Sequence, residues 1–343
     1  FMEGTMGKQK GFFDEDYRLS ELEEHGDPLL RLNELIPWER FRPLLKKLFH
    51  KQPKSPGGRP PYDYVMMFKI LILQRLYNLS DSQMQFQIMD RLSFMRFLGL
   101  NLNDRVPDEK TIWHFREVLT KSGKMEILFE EFRTFLLDKG VIAESGTIVD
   151  ASFVEAPKQR NTKEENKDIK EGSTPKDWSD NKLRQKDVDA RWMTKSGVKH
   201  YGYKNHIKVD KKSKLVHRYA VTPASTHDSQ VLEELLAASD AHHELYADSA
   251  YSGAPIKNIL QENNIRNRIH EKGYRGSPLT EKQKERNKRK SKTRARIEHV
   301  FGCIVNSFQG NFIRTIGIAR AETVIGITNL SYNMVRYTQL CRT

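Results

Sequence analysis

The fold class this sequence predicts is α/β: a domain built on a mixed sheet, preceded by an all-α N-terminal region. Three observations lead there. Apolar residues recur at helical spacing from about residue 15 to 140, and nothing in that stretch reads as strand. At Thr147 the pattern changes to short β-branched runs. Those runs alternate with helical segments long enough to serve as the crossovers that parallel strands need.

The 343 residues suffice for two domains, each able to bury its own core. Residues 1–14, with methionines at 2 and 6, lack the apolar core of a signal peptide and read as a cloning remnant or frayed end. The greasiest stretch, Val65 to Leu73, is broken by Lys69 and falls short of the roughly 18 apolar residues a membrane span needs. The only cysteines are Cys303 and Cys341, which excludes a disulfide framework and a CxxC zinc site and points to the cytoplasm. A formal charge of +13 and a pI near 9.5 call for a polyanionic partner, nucleic acid or an anionic membrane face.

In chain order, DYVMMFKILILQRLY (63–77) reads as a buried central helix capped by Asp63. A short amphipathic helix follows Ser80-Asp81-Ser82. Residues 106–123 and 124–140 are helices that each stop at a glycine. The first carries Trp113, Phe115 and Arg116, which either form part of a helix-turn-helix reader or belong to the core. This N-terminal region, 15–140, reads as a complete helical domain suited to DNA binding, with dimerisation as a second candidate role.

TIVDASFV (147–154) is the first strand of the second domain, 141–343. Residues 155–198 are polar, without a sustained period, and read as a long insertion. In HYGYKNHIKVD (200–210), Tyr201, Tyr203, Asn205, Ile207 and Val209 share one face; Gly202, Lys204, His206 and Lys208 share the other. Residues 214–225 pair with it as a hairpin. The expected order is then helix 227–240, strand 244–251, helix 255–264, strand 265–271, helix 292–308 and a C-terminal helix over 318–340.

Three acids stand where acids are least expected. Asp150 interrupts an apolar strand, Asp248 ends another, and Glu298 sits on a helix among Ile297, Phe301 and Ile304. Singly, each has a structural explanation: a turn cap, a loop start, a partner for Arg294 one turn earlier. Together, in strand–strand–helix order, they suit magnesium, a hard ion that prefers carboxylate, water and phosphate oxygens. Two such ions about 3.5–4 Å apart clamp the attacking and leaving oxygens of an in-line displacement.

The strings GRPPYD (58–63), LSDSQMQFQIMDRLSFMRFLGL (79–100), VPDEKTIWHFR (106–116), YGYKNHIKVD (201–210), TPASTHDSQVLEELL (222–236), ADSAYSG (247–253) and RIEHVFG (296–302) resemble bacterial insertion-sequence transposases of the group named after insertion sequence five. The resemblance runs from about residue 15 to 340. It implies an RNase H-like catalytic fold with Asp150, Asp248 and Glu298 as both the catalytic DDE triad and the metal ligands. It also implies two Mg2+ per site (with Mn2+ as substitute), and double-stranded DNA, both element ends and target, as partner. A homodimer on DNA and a nucleoid-associated location in a bacterial cytoplasm follow from the same likeness. One departure stands out. The group's pattern has a tyrosine, arginine, glutamate and lysine separated by two, three and six residues; Arg294 and Glu298 fit, but Ser291 and Val305 hold the outer positions.

Residues 271–296 hold eleven Lys or Arg against three acids, +8 of the total charge, and lead into the helix of Glu298. Among them Lys288, Arg289, Lys290, Lys292, Arg294 and Arg296 are candidates for the DNA backbone, in a segment expected to be mobile without DNA. With almost no apolar face, the stretch does not suit a membrane. Lys204 and His206 either reach DNA or face solvent. His227 and Asp228 either start a helix or neighbour the active site.

The function expected is a DNA transposase that binds element ends, hydrolyses phosphodiester bonds and joins the freed 3′-hydroxyl to target DNA. The competing readings are an RNase H-like nuclease that does not transpose and a catalytically repurposed DNA-binding protein. A tyrosine recombinase is disfavoured, because Tyr332 and Tyr337 lack an HxxR partner.

Overall fold

The computed structural model describes residues 11, 13–49, 60–143, 145–195 and 197–341. Most of the supposed N-terminal remnant lies outside the described residues. The N-terminal region is helical: α1 (Asp14–Glu24), α2 (Pro28–Leu35), α3 (Arg42–Phe49), α4 (Tyr64–Tyr77), α5 (Asp81–Asp90), α6 (Leu92–Leu98), α7 (Glu109–Ser122) and α8 (Met125–Asp138). Their ends follow local chemistry. Asp63 caps α4 by accepting from Met66 N at 2.9 Å, and Asp108 caps α7 from Thr111 N at 2.7 Å. Ser80 and Gln83 close a reciprocal capping box on α5. Gly99 and Gly123 end α6 and α7 in the left-handed conformation. Helix α4 is apolar almost all round and is accordingly buried on nearly every side.

The second region contains β1 (Thr147–Glu155), α9 (Lys163–Lys170), α10 (Asp180–Gln185), β2 (Arg191–Lys195), β3 (Val198–Asp210), β4 (Val216–Pro223), α11 (Leu232–Leu235), β5 (Glu244–Tyr246), α12 (Ala254–Glu262), β6 (Arg266–Asn267), α13 (Glu281–Phe308) and α14 (Ile318–Leu340). One mixed sheet results. Strand β1 runs antiparallel to β3 from Thr147 opposite Asp210 to Glu155 opposite Gly202. Along its other side β1 lies parallel to β5, with Ile148 opposite Tyr246, and β5 lies parallel to β6. Strands β2 and β4 share the far edge of β3. Gly202 is required where β1 and β3 meet: with φ +144°, a Cβ there would lie 2.4 Å from Val154 O.

Helix α14 ties the molecule together. Asn329 and Asn205 exchange amide hydrogen bonds at 2.8 and 3.0 Å, both fully buried. Asn333 accepts from Val216 N and donates to Val216 O, each at 2.8 Å, beside the irregularity at Lys208/Val209. It thereby satisfies backbone groups that the β3–β4 ladder leaves open. At Gly326 the helix passes so close to β4 and α8 that a Cβ would meet Tyr219 Oη at 2.4 Å and Met125 Cγ at 2.7 Å. A single apolar cluster runs from Phe41, Phe68 and Phe132 through Ile327 and Leu330 to Ile148 and Ile207. The core is therefore continuous across residue 140, where the sequence suggests a domain boundary.

Several expected elements are corrected. The helix expected over 227–240 is a 3-10 turn (Asp228–Val231), α11 and a second 3-10 turn (Ala238–Asp240). Asp240 turns inward there, accepting from Lys208 Nζ at 2.6 Å and from Ala237 N at 2.7 Å. The strand expected over 244–251 stops at Tyr246, and the one over 265–271 shrinks to Arg266–Asn267. The insertion holds local structure: a Thr162/Glu165 capping box starts α9, Ser179 caps α10, and β2 joins the sheet. The largest change is in the basic stretch, most of which is helix. A Thr280/Gln283 capping box starts α13 eleven residues before the expected position, and pairs such as Arg289–Glu285 at 2.6 Å run along it.

Candidate active site

Asp150 lies mid-strand in β1, its side chain 17% exposed. Asp248 follows the parallel neighbour β5 and caps a 3-10 turn (Ser249–Tyr251), accepting from Ala250 N at 2.8 Å. The register explains their proximity: Ile148 pairs with Tyr246, and each aspartate comes two residues later on its own chain. Burial pushes the Asp150 carboxyl up to about 6; the Asp248 charge adds to the rise, while Ala151 N–H and the Arg294 guanidinium oppose it.

Helix α13 packs across β1 and β5 and brings the third acid. Arg294 donates to Asp150 at 2.7 Å, and its other terminal nitrogen lies 3.7 Å from Glu298, one turn further along. Glu298 is 67% exposed. Arg294 Nε is buried without a hydrogen-bond partner. Thus Asp150 and Asp248 lie near enough for their charges to interact, and Arg294 contacts both Asp150 and Glu298. Ser291, where the resembled pattern has tyrosine, lies 3.3 Å from His270 Nε2.

Two neighbours escaped the sequence reading. Tyr251 is wholly buried, its hydroxyl without a partner, and the charges of Asp228, Asp150 and Asp248 add to burial in holding it protonated. Its only signal was a place three residues after Asp248 in ADSAYSG. His270 is held below the usual imidazole range by burial and then by Arg294 and Lys290, and no spacing rule pointed to it.

The remaining candidates are distributed as follows. His227 caps the 3-10 turn through Ser229 N, and Asp228 accepts from Lys204 Nζ at 2.8 Å. Lys204 also donates to Thr226 O at 2.7 Å, and His206 Nε2 lies 2.8 Å from Thr222 Oγ1. Both Lys204 and His206 are buried, so neither faces solvent or presents its polar atoms to a duplex. This face of β3 is covered because Asp228 and Asp240 compensate Lys204 and Lys208. On α13, Lys288 and Lys292 are exposed. Arg289 pairs with Glu285, Lys290 donates to Ile269 O at 2.8 Å, and Arg296 donates to Lys211 O at 2.7 Å. Of the supposed reader helix, Trp113 is exposed, Phe115 is buried and stacks on Phe49, and Arg116 pairs with Asp81 at 2.6 Å.

The donor chemistry at Asp150, Asp248 and Glu298 is carboxylate oxygen only, which suits a hard divalent ion. Among the described residues, no three acidic, histidine or cysteine side chains converge closely enough to hold an ion as they stand. Arg294 supplies the positive charge between the carboxylates.

Comparison with known proteins shows the family. Residues 142–334 match the family described as "Transposase DDE domain", and residues 17–118 match "Transposase domain (DUF772)". The chain belongs to the transposase DDE-domain family, and it is a DNA transposase. Among solved structures it is similar to the piggyBac transposase in a synaptic complex with hairpin DNA. That likeness has 12% identity and a TM-score of 0.43, and covers 92% of this chain and 76% of that one. Among the described residues, no helix is long and apolar enough to cross a membrane.

Proposed function

We propose that this transposase cuts and rejoins DNA at a centre made by Asp150, Asp248 and Glu298, as a member of the group named after insertion sequence five. The observation that carries the reading is the placement of Asp150 on β1 and of Asp248 just past the end of its parallel neighbour β5, with Arg294 of α13 in contact with both Asp150 and Glu298. An RNase H-like catalytic fold is supported by strand order: β3 pairs antiparallel with β1, β2 and β4, and β5 and β6 continue the sheet parallel to β1, with α13 packed across β1 and β5. Expected surroundings are a homodimer, since two element ends must be handled together, and DNA of the bacterial nucleoid.

The three carboxylates would hold two Mg2+, with Mn2+ as substitute. When bound, such ions polarise the phosphate and favour the deprotonated attacking oxygen. The chain's own groups do the rest. Glu298, exposed and on a rigid helix, is free to turn toward the aspartates. Arg294 then exchanges a carboxylate for a phosphate oxygen, a geometry its guanidinium suits equally. In the first step a water oxygen bonds to phosphorus and the 3′ oxygen leaves as a hydroxyl. In the second, that hydroxyl attacks a target phosphate and displaces the target's own 3′ oxygen. No covalent protein–DNA bond forms.

Asp150→Ala, Asp248→Ala and Glu298→Gln should each lower cleavage and strand transfer on the order of 10³-fold or more, with DNA binding retained. Strand transfer of a pre-cut end separates a transposase from a nuclease. A variant with near-normal turnover in Mg2+ would remove its residue from the centre.

A further inference from the structure

Where α4, α5 and α7 meet the loop joining α13 to α14, the surface folds into a cavity of about 460 Å³. Its lining is strongly cationic: Arg75, Arg116, Arg184, Arg314 and Arg320 all reach it. Two of these are neutralised in place. Arg116 donates to both oxygens of Asp81 at 2.8 and 2.6 Å, and Arg320 to both of Glu117 at 2.8 and 2.9 Å. Among the described residues, no carboxylate lies within ion-pair distance of Arg75, Arg184 or Arg314.

Arg75 is the decisive group. It projects from the buried helix α4, and its Nε and Nη2 are closed off from solvent with no hydrogen-bond partner. A buried guanidinium with empty donors is strongly unfavourable unless something compensates it. Burial, then repulsion from Arg116 and Arg314, lowers it to about 10, so it remains charged at neutral pH. The Thr315 hydroxyl is likewise buried and unpaired in the same lining. Trp113 and Phe312, 49% and 37% exposed, add two aromatic surfaces.

Position relates the cavity to the reaction. Phe312 pairs with Glu155 at the end of β1, five residues beyond Asp150. That corresponds to roughly 17 Å along a strand, or about five nucleotide steps at 3.4 Å each.

We propose that this cavity is a second phosphate site, which takes one backbone phosphate of the DNA flanking the reacting bond, with Arg75, Arg184 and Arg314 as donors. The proposal rests on the transposase reading for its ligand but not on the carboxylates. Forked guanidiniums match the oxygens of a phosphate and would satisfy donors the fold leaves empty. A free phosphate has the same chemistry, so the test must separate the two sources.

The experiment uses the full chain carrying Asp150→Ala, so that DNA stays intact. Inorganic phosphate and a duplex oligonucleotide are each titrated against Trp113 fluorescence, with Trp113→Phe as control. Affinity is also measured against salt. Arg184→Ala with Arg314→Ala, both at exposed positions, should weaken duplex binding about tenfold and flatten the salt slope by about 0.9 log unit; Arg314→Lys should restore part of it. Arg75→Met should raise the melting temperature of the DNA-free protein and still weaken duplex binding. A phosphate response with unchanged duplex slopes would make this a site for free phosphate and overturn the proposal. So would unchanged slopes without any response, or a lower melting temperature for Arg75→Met with unchanged affinity. Persistent cleavage by the triad variants alongside an Arg314-dependent slope would instead refute the catalytic assignment and leave the pocket standing.

Discussion

Arg294 and Asp150, 144 positions apart in the chain, form an ion pair of 2.7 Å between α13 and the first strand of the sheet. The guanidinium offsets a carboxylate that burial disfavours and fixes how α13 sits on the sheet. Arg294→Ala should lower cleavage about a hundredfold and destabilise the protein by roughly 1–3 kcal/mol. In an Asp150→Asn background most of that loss should vanish, because no buried charge is then stranded. Equal losses in both backgrounds, measured by urea unfolding, would mean that the two residues are not coupled.

Neutralising Lys288, Arg289, Lys290 and Lys292 together should weaken DNA binding equally for all sequences, since phosphate contacts carry no base information. The salt slope should fall by up to about 0.9 log unit per lost contact. Lys288 and Lys292 should account for most of the effect, because the Lys290 ammonium is already engaged with Ile269 O. Helical content should stay unchanged. If the slopes do not move, this face of α13 is only solvated.

Acid sensitivity should centre on the covered face of β3 and β4. Burial, then the charges of Lys208 and Arg133, lowers the His217 imidazole to about 3. An unfolded chain takes up this proton near 6.5, as for any free histidine. Stability is therefore complete above pH 6.5 and is lost as the pH falls toward 3, by at most about 1.4 kcal/mol per pH unit. His206, also lowered by burial, acts in the same direction. His217→Asn should flatten the melting temperature between pH 6.5 and 4.5; an unaltered profile would show that His217 is not the titrating group.

Asn333→Ala strands the Val216 N–H and C=O in a buried strand. The expected loss is roughly 2–4 kcal/mol for two unsatisfied backbone groups. A loss below about 0.5 kcal/mol, within the range of an ordinary surface substitution, would mean that water takes over both bonds.

What was legible in the sequence depended on local signals. Capping residues and hydrophobic period marked α4, α7, α8 and the β3–β4 hairpin. Three acids in apolar surroundings marked the candidate centre. Most failures were non-local; the basic stretch is the exception. Alternation along β3 suggested a wet face for Lys204, His206 and Lys208, yet Asp228 and Asp240, distant in sequence, cover it with ion pairs. Charge in 271–296 suggested mobility, whereas i,i+4 pairing and a capping box favour helix. Tyr251 and His270 join the site through tertiary folding that no spacing encodes.

The central position of α14 also has a consequence for synthesis. Helices α2, α4, α7 and α8 bury their apolar faces against a segment translated some 180 residues after α8 ends. At about 5–20 residues per second, those faces wait roughly ten seconds or more on the ribosome before their partner exists. Contacts of such sequence separation close slowly, so the nascent chain depends on shielding from aggregation during that interval. A ribosome that stops before residue 318 releases a chain whose shared core cannot close, leaving greasy helix faces open to proteolysis.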